Sequence, residues 1–542
     1  MLKESNFIKT IIEKDIKKKK YNKIITRFPP EPNGFLHLGH ARAIIINFEL
    51  AKYFNGITYL RYDDTNPYKE KKIFIDAIAK DIKWLNYKPE KIFFTSDYFE
   101  EIFQKAVLLI KKNKAFVDDL KETEIKEYRG DLNKPGINSP FRNRSIEENL
   151  DLFYKMKSGF FKQKEKVLRA KIDMSSPNMN FRDPVIYRIL DSYTIKQKHH
   201  FIYPSYDFSH PLADSIEKIS HSLCSLEFED HRPLYKWFLK ETEMNHIPKQ
   251  IEFGRLNITN TCLSKRSLNF LVENKLVEGW DDPRMPTLIG ARKKGLPPEA
   301  IKKFILNTGL SKNNSFVDIN MLNSCVREFL QKTAKKAISI INPLKITIIN
   351  YPENKTEIRE VAFNENLNPN EKRKIFFSKH IYIEKNDFEL IKKDKKSKKL
   401  HLNEEVRLLY FYFIKAVDII YDKSGEIKEV LATYDIKTKS GSGFNERKPN
   451  GTIHFLNQKN TQKAIFNFFQ PIFNNTNPKD FSKEFNHNSW QKKEVLIEKE
   501  INLNIKNEKF QFIRKGFFHL DLENKNSKIP NFNEIVPLKK LY

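Results

Sequence analysis

Cysteine is nearly absent from this chain of 542 residues: Cys224, Cys262 and Cys325 lie far apart and form no C-x-x-C pair. That excludes a disulfide framework and a zinc ribbon, and it suits a reducing compartment. Long apolar runs are missing too. No stretch approaches the ~20 residues needed to span a bilayer, and Glu4, Glu13 and Asp15 interrupt the N-terminal segment where a presequence would be free of acid. The expected location is cytoplasmic, with no membrane partner. Acidic residues are in deficit, 69 against 97 basic, leaving a formal charge of +28. Such a surface concentrates polyanions. Arginine is scarce among the basic residues, 20 of the 97, while Lys, Asn, Ile and Phe are abundant. That is a general compositional drift, so charge alone supports a nucleic-acid partner without proving it.

What is present is a change of pattern along the chain. Three or four domains are expected at this length. Phe7, Ile8, Ile11, Ile12 and Ile16 recur at helical spacing ahead of a lysine run at 17–20. Short apolar runs at 24–28 and 59–62 then alternate with helical patterns starting at Gly39 and running through 73–85, the rhythm of a parallel α/β sheet. Residues 97–204 are less regular, charged and rich in turn chemistry, with a strand-like run at 167–172; they read as an insertion between two halves of the sheet, which resumes across 203–224. A mostly helical stretch follows. Beyond Pro343 the period drops to two, with β-branched and aromatic runs at 345–349, 380–384, 406–417, 451–456, 494–497 and 510–520. These predict β-barrel modules, with surface loops at the lysine-rich 392–399 and the asparagine-rich 474–488. The expected divisions are 1–96, 97–204, 205–267, 268–335 and 336–542.

The densest motif is F-P-P-E-P-N-G-F-L-H-L-G-H at 28–40. Pro29, Pro30 and Pro32 cannot extend a strand ladder, so the chain must turn there, and Gly34 and Gly39 let backbone approach a ligand. A helix beginning at His37 and His40 after a strand and a tight loop is a phosphate-binding layout, with free N–H groups and the positive end of the helix dipole facing an anion. Ligands to parallel sheets sit at the carboxyl ends of strands, where R-Y-D-D-T-N-P at 61–67 would also fall. Further on, C-L-S-K-R-S at 262–267 carries a basic triplet that by itself reads as solvent-exposed charge.

Together these strings resemble the signatures of class I aminoacyl-tRNA synthetases, in the glutamyl and glutaminyl branch. The resemblance implies a Rossmann-type α/β catalytic domain with an inserted acceptor-binding domain, a helical subdomain, and C-terminal all-β anticodon-binding barrels. It implies ATP with Mg²⁺, no zinc, and a tRNA partner, with the protein acting as a monomer. His37, His40 and Lys265 are the implied catalytic residues. Glu31, Pro32, Asn33, Leu38, Gly39, Ala41, Arg42, Ala43, Ser225, Arg255, Leu256, Leu263 and Ser264 complete the implied ATP contacts.

Asp63, with Arg27 nearby, would bind an α-ammonium, and Tyr206 would read a side-chain amide. Glutamyl members carry an arginine where Cys224 stands. A neutral thiol cannot pair with a substrate carboxylate, so the implied substrate is L-glutamine and the implied acceptor tRNA(Gln). For RNA, the resemblance implies Leu132 at the first acceptor-stem pair, Asp230 in the acceptor minor groove, and Arg407 in the anticodon region. The chain departs from the family pattern at Leu263, commonly Met, at Ser225, commonly Thr, and at Leu409, where a second arginine is lost. A glutamyl enzyme of relaxed specificity and a non-catalytic tRNA-binding paralogue stay open as alternatives.

Overall fold

The computed structural model describes residues 6–501, 508–521 and 529–538. Two compact units emerge, one of Met1–Asn269, Pro286–Ile289 and Lys302–Val317, the other of Phe270–Met285, Gly290–Ile301 and Asp318–Tyr542.

The first unit opens with α1 (Phe7–Lys17), capped by the Asn6 side chain, which accepts from Lys9 N–H at 2.9 Å. Ile8 and Ile12 are fully buried, but Ile16 is exposed. The inward position expected for Ile16 belongs to Asp15, which pairs with Lys249 (2.8 Å) and His221 (3.2 Å). An ion pair displaced an apolar contact that helical spacing alone would predict.

β1 (Ile25–Phe28), α2 (Leu38–Tyr53), β2 (Ile57–Tyr62), α3 (Lys72–Trp84) and β3 (Ile92–Phe94) follow, and the three strands pair in parallel in the order β1-β2-β3. Residues 97–204, expected to be less regular, are built of regular elements. They hold α4 (Phe99–Lys111), β4 (Ala115–Asp118), α5 (Glu122–Arg129), α6 (Ile146–Lys157), β5 (Val167–Ala170), β6 (Val185–Tyr193) and β7 (His199–Pro204). The four strands form an antiparallel sheet in chain order. The regularity was hidden because charged residues point inward: Arg169 and Asp118 are both fully buried and pair at 2.7 Å. Around them Phe103 stacks on Phe153 at 4.8 Å, with Leu168, Tyr187, Phe208 and Phe238. Each such large side chain contributes roughly 1.5–3 kcal/mol on burial.

The sheet of the first half resumes later than expected, since Tyr203 belongs to β7. It returns through α7 (Tyr206–Ile216), β8 (His221–Ser225), α8 (Arg232–Glu241) and β9 (Lys249–Phe253), with β8 and β9 parallel. β1 and β8 are stitched together by Ser220 N–H to the Ile25 carbonyl (3.0 Å) and by Ile25 N–H to Ser220 Oγ (2.8 Å). Strand order around this seam is thus β3-β2-β1 followed by β8-β9. A short parallel pair, β10 (Leu256–Ile258) with β11 (Ser315–Val317), closes the unit.

In the second unit, helices give way to two seven-stranded sheets. One begins at Lys335–Ala337 and Ser339–Ile340 and is completed only by strands from Thr461–Phe469 onward; the other, from Pro343–Ile348 to Phe455–Asn457, lies between them in sequence. Two runs expected as single strands are hairpins. The run at 406–417 breaks into Glu405–Leu408 and Phe413–Tyr421 around Tyr410 (φ 70°), and 510–520 into Lys509–Phe512 and Gly516–Leu520 around Arg514 (φ 64°). A ribbon of Glu357–Asn364 and Asn368–Phe377 was not expected at all, because its polar, partly exposed residues carry little hydrophobic alternation.

Candidate active site

The loop between β1 and α2 is tied down on both sides. Asp63 N–H donates to the Pro30 carbonyl (3.0 Å) and Lys71 N–H to that of Pro32 (3.1 Å). Leu38 N–H donates to the Pro286 carbonyl (3.0 Å), and Leu288 N–H to that of Leu36 (2.8 Å), so residues 286–288 brace the histidine motif. The motif alone carries no sign of that partner.

His37 is the N-cap residue of α2: Gly39 N–H donates to its Nδ1 at 3.0 Å, and His37 N–H donates to His40 Nδ1 at 3.2 Å. With both Nδ1 atoms accepting, each neutral ring carries its proton on Nε2 and presents a donor. The rings lie 3.9 Å apart. A Cβ at position 39 would come within 2.8 Å of the His37 ring, so glycine is required there. Burial, then the neighbouring His40, pushes His37 well below the usual value; burial, then Lys265, brings His40 down to about 4. Both rings are neutral at pH 7. They sit at a helix N-terminus whose first N–H groups are met by the Pro286 carbonyl and by His37, so the dipole end and the Nε2 donors are what face an anion.

Lys265 opens α9 (Lys265–Glu273), and its Nζ donates to the Asn33 carbonyl at 2.5 Å. Its stem lies against Gly34, and Leu263 Cδ1 is 3.9 Å from where a Gly39 Cβ would stand. The two motifs, distant in sequence, therefore converge. Burial lowers the Lys265 pKa, opposed by the charge of Glu31. Leu38, Ala41 and Arg42 are buried, and the Arg42 guanidinium bonds Thr308 Oγ1 (2.7 Å) and the Gly309 carbonyl (3.0 Å). Ser225 Oγ donates to Glu227 (2.6 Å), which also pairs with Arg255. Leu256 is buried in β10.

Below lies a pocket lined by Tyr206, Cys224, Phe228, Tyr235 and Gln250, among others. Tyr206 and Cys224, separate in sequence, face the same space. Burial pushes the Cys224 thiol up to about 12, so it is neutral. Burial likewise holds the Tyr206 hydroxyl protonated, within the fields of Arg27, Asp63 and Cys224. Asp63 accepts from Thr65 Oγ1 (2.9 Å), and burial raises its pKa to about 7. A carboxylate in that state is poised for an arriving cation, which would complete it as an ion pair.

Arg27 is fully buried. Nε donates to Asp214 (3.0 Å), Nη1 to the Leu223 carbonyl (2.8 Å) and Nη2 to Ser222 Oγ (2.7 Å). Arg61, from β2, donates to the same Asp214 (2.8 Å) and to Glu217 (2.9 Å). Asp214 also accepts from Ser222 (2.7 Å) and Tyr235 (3.0 Å). Burial would raise the Asp214 pKa, yet Arg27, His210 and Arg61 hold it well below the carboxylate range. His210 sits between the two arginines and stacks on Tyr206, ring centroids 4.9 Å apart. Arg61 heads the 61–67 motif but carries no role of its own there, and His210 and Asp214 lie outside every motif. The usable signal was charge and imidazole inside the otherwise apolar F-S-H-P-L-A-D-S-I run of α7.

Of the RNA candidates, Leu132 is 83% exposed on a turn and Asp230 is exposed after β8. Arg407, in the second unit, lies over the Phe413 ring at 4.3 Å and donates to the Thr438 carbonyl and Ser440 Oγ, both at 3.0 Å.

A helix N-terminus bearing two neutral imidazole donors, a converging lysine and a neighbouring cation-seeking carboxylate defines a nucleotide-dependent activating enzyme of the α/β class. Residues 23–332 match the model of the tRNA synthetases class I (E and Q) catalytic domain, and 334–435 and 452–521 match the anti-codon binding domain models of the same group; the chain belongs to this family. It is 49% identical to the glutamine–tRNA ligase of Clostridium perfringens and 49% to that of Clostridioides difficile, in each case over 99% of this chain and 98% of the relative. The corresponding ligase of Buchnera aphidicola subsp. Baizongia pistaciae is 45% identical over 99% of this chain and 98% of its own length. A solved glutamate-tRNA synthetase from Elizabethkingia anophelis is 16% identical with a TM-score of 0.44, covering 58% of this chain and 72% of that one, too loose a likeness to bear on function.

Proposed function

We propose that the protein activates L-glutamine with ATP to glutaminyl-adenylate and pyrophosphate, then transfers glutamine to the 3′-terminal adenosine of tRNA(Gln). The observation that carries this reading is the pocket in which a neutral Cys224 and a protonated Tyr206 face each other. Near-full-length identity to ligases named for glutamine supports it.

The substrate ammonium pairs with Asp63, drawing its pKa down as the ion pair forms. The side-chain amide meets Tyr206, held by its stack on His210. Glutamate in the same place would leave a carboxylate facing a thiol that donates only weakly, and the unmet charge disfavours it. When the α-carboxylate attacks the α-phosphate of MgATP, charge grows on the phosphoryl oxygens and on the departing pyrophosphate. His37 and His40 donate from Nε2 to the former, and Lys265 neutralises the latter. Among the described residues no group of three or more His, Cys, Asp or Glu is arranged to hold a metal, so magnesium would come as part of the nucleotide substrate. Water must be kept from the adenylate until the terminal ribose hydroxyl attacks it. Leu132 would open the first acceptor-stem pair so that the 3′ end can reach the site, with Asp230 in the minor groove and Arg407 toward the anticodon.

ATP–pyrophosphate exchange dependent on glutamine, measured with cognate tRNA present, tests the reading. Folded protein without exchange would sink it, and equal charging with glutamate would replace glutamine selectivity by relaxed specificity.

A further inference from the structure

The turn carrying Leu132 is held from beneath by a residue that has no part in the adenylate chemistry. Arg182 is 3% exposed. Its Nη1 donates to the carbonyls of Arg129 (2.9 Å), Asp131 (2.9 Å) and Lys134 (2.8 Å), and its Nε to that of Ser176 (2.7 Å). The first three acceptors bracket Leu132. Further ties lie within the turn: the Asp131 carboxylate accepts from Asn133 N–H (2.7 Å) and Lys134 N–H (3.0 Å). Gly130 has φ +67°, and a Cβ there would fall 2.6 Å from the Lys134 carbonyl oxygen. All these bonds fix backbone, and none engages the leucine side chain, which is left in water.

A solvent-facing turn needs no buried guanidinium to exist, and burying one is costly unless its donors are met. Here Nε is met by a carbonyl of the loop that precedes β6 and Nη1 by carbonyls of the turn. That loop also reaches the second acceptor-stem candidate, which lies outside the insertion, after β8: Asn178 Nδ2 donates to the Asp230 carbonyl at 2.8 Å. Its base is locked into the antiparallel sheet by Asp183, which accepts from Arg142 (2.6 Å) and Ile172 N–H (2.7 Å) and whose carbonyl accepts from Arg169 (2.7 Å).

We propose that Arg182 is a positioning residue for opening the acceptor end. It pre-sets the 129–134 turn so that Leu132 enters the end of the RNA duplex, and with Asn178 it fixes the distance from that wedge to Asp230. A turn already ordered in the free protein loses no conformational freedom on meeting RNA. The inference rests on the reading of Leu132 as the residue that separates the first acceptor pair.

The test measures kcat/KM for charging two tRNA(Gln) transcripts, one with the first acceptor pair intact and one mismatched there, so that its end is already open. Arg182→Ala is expected to lose about 10- to 100-fold on the paired transcript, the scale of a displaced positioning element, and to charge the open transcript nearly as wild type does. Arg182→Lys keeps the charge without the planar fork and should fall between. Equal losses on both transcripts overturn the proposal, since the arginine is then a general structural support. Near-normal charging of the open transcript also shows that the variant folds; if Arg182→Ala does not fold, Arg182→Lys decides on the same pair. Leu132→Ala separates the two layers of the argument. A paired-versus-open split in that variant but not in the Arg182 variants overturns the role of Arg182 alone, whereas no split in Leu132→Ala removes the wedge itself.

Discussion

At the start of α2, His37 and His40 are deprived of charge: burial pushes both below their usual range, and backbone N–H groups occupy their Nδ1 atoms. Around Asp214 the opposite holds. Arg27, Arg61 and Asp214 are equally buried yet remain ionised, because each satisfies the others. On the proposed reading the cradle receives a polyanion that brings its own charge, so neutral donors and a helix terminus suffice, and charged rings would also bind the product pyrophosphate. On the same reading the pocket receives a neutral amide above a network in which Asp214 is shared by both arginines, and Asp63 is the carboxylate proposed for the ammonium. One half depends on neutrality, the other on compensated charge.

Removing Asp214 should have the largest effect, because it strands two buried guanidinium groups. Asp214→Ala is expected to lose about 3–5 kcal/mol of stability, the usual cost of breaking a buried ion pair on one side, read as a lower urea midpoint. If the midpoint barely moves, the network is not what supports the pocket. Lys265→Ala acts in the cradle without touching the fold; adenylate formation should slow by about 10²- to 10³-fold with tRNA affinity nearly unchanged. Parallel loss of tRNA binding would show that the lysine serves RNA instead.

Cys224→Arg tests the pocket's charge balance directly. It introduces a cation beside Arg27, so glutamine kcat/KM should fall and the preference over glutamate narrow, together by about 10- to 100-fold; unchanged discrimination would mean that residue 224 does not face the side chain. The smallest effect concerns pH. Asp63 has a folded pKa of about 7, so glutamine KM should fall by up to about tenfold per pH unit as pH rises toward 7 and then level off. The sign for stability is the reverse: a carboxyl whose folded pKa is raised holds its proton more tightly when folded. Its contribution is complete in acid and is lost as pH climbs from the unfolded value through about 7. Asp63→Asn should flatten both profiles, and a KM step that survives in that variant would assign the titration to another group.

The cradle was legible in the chain because its parts are local: Pro29 to His40 contain the turn, the cap and both imidazoles, and capping physics operates over a few residues. The strand–helix alternation up to β3 was legible for the same reason. The pocket was only partly so. Tyr206 and Cys224 could be singled out by resemblance, but His210 and Asp214 gave no motif, since a buried polar residue looks in sequence like an exposed one. The insertion was obscured by its interior Arg169–Asp118 pair and the barrels by turns at Tyr410 and Arg514, where backbone handedness changes without a glycine to announce it.

By itself, then, the order of residues determined the phosphate-binding turn, the helical and period-two stretches, and the neutral residue at position 224. Tertiary structure alone decided that residues 286–288 brace the histidines, that Lys265 reaches Asn33, that Arg27 is tied to Asp214 and the Leu223 carbonyl, and that Arg182 holds the turn carrying Leu132. The division has one physical cause. Capping and periodicity depend on neighbours a few positions away, whereas the ionisation and partners of a buried charge depend on which distant segments the fold packs around it.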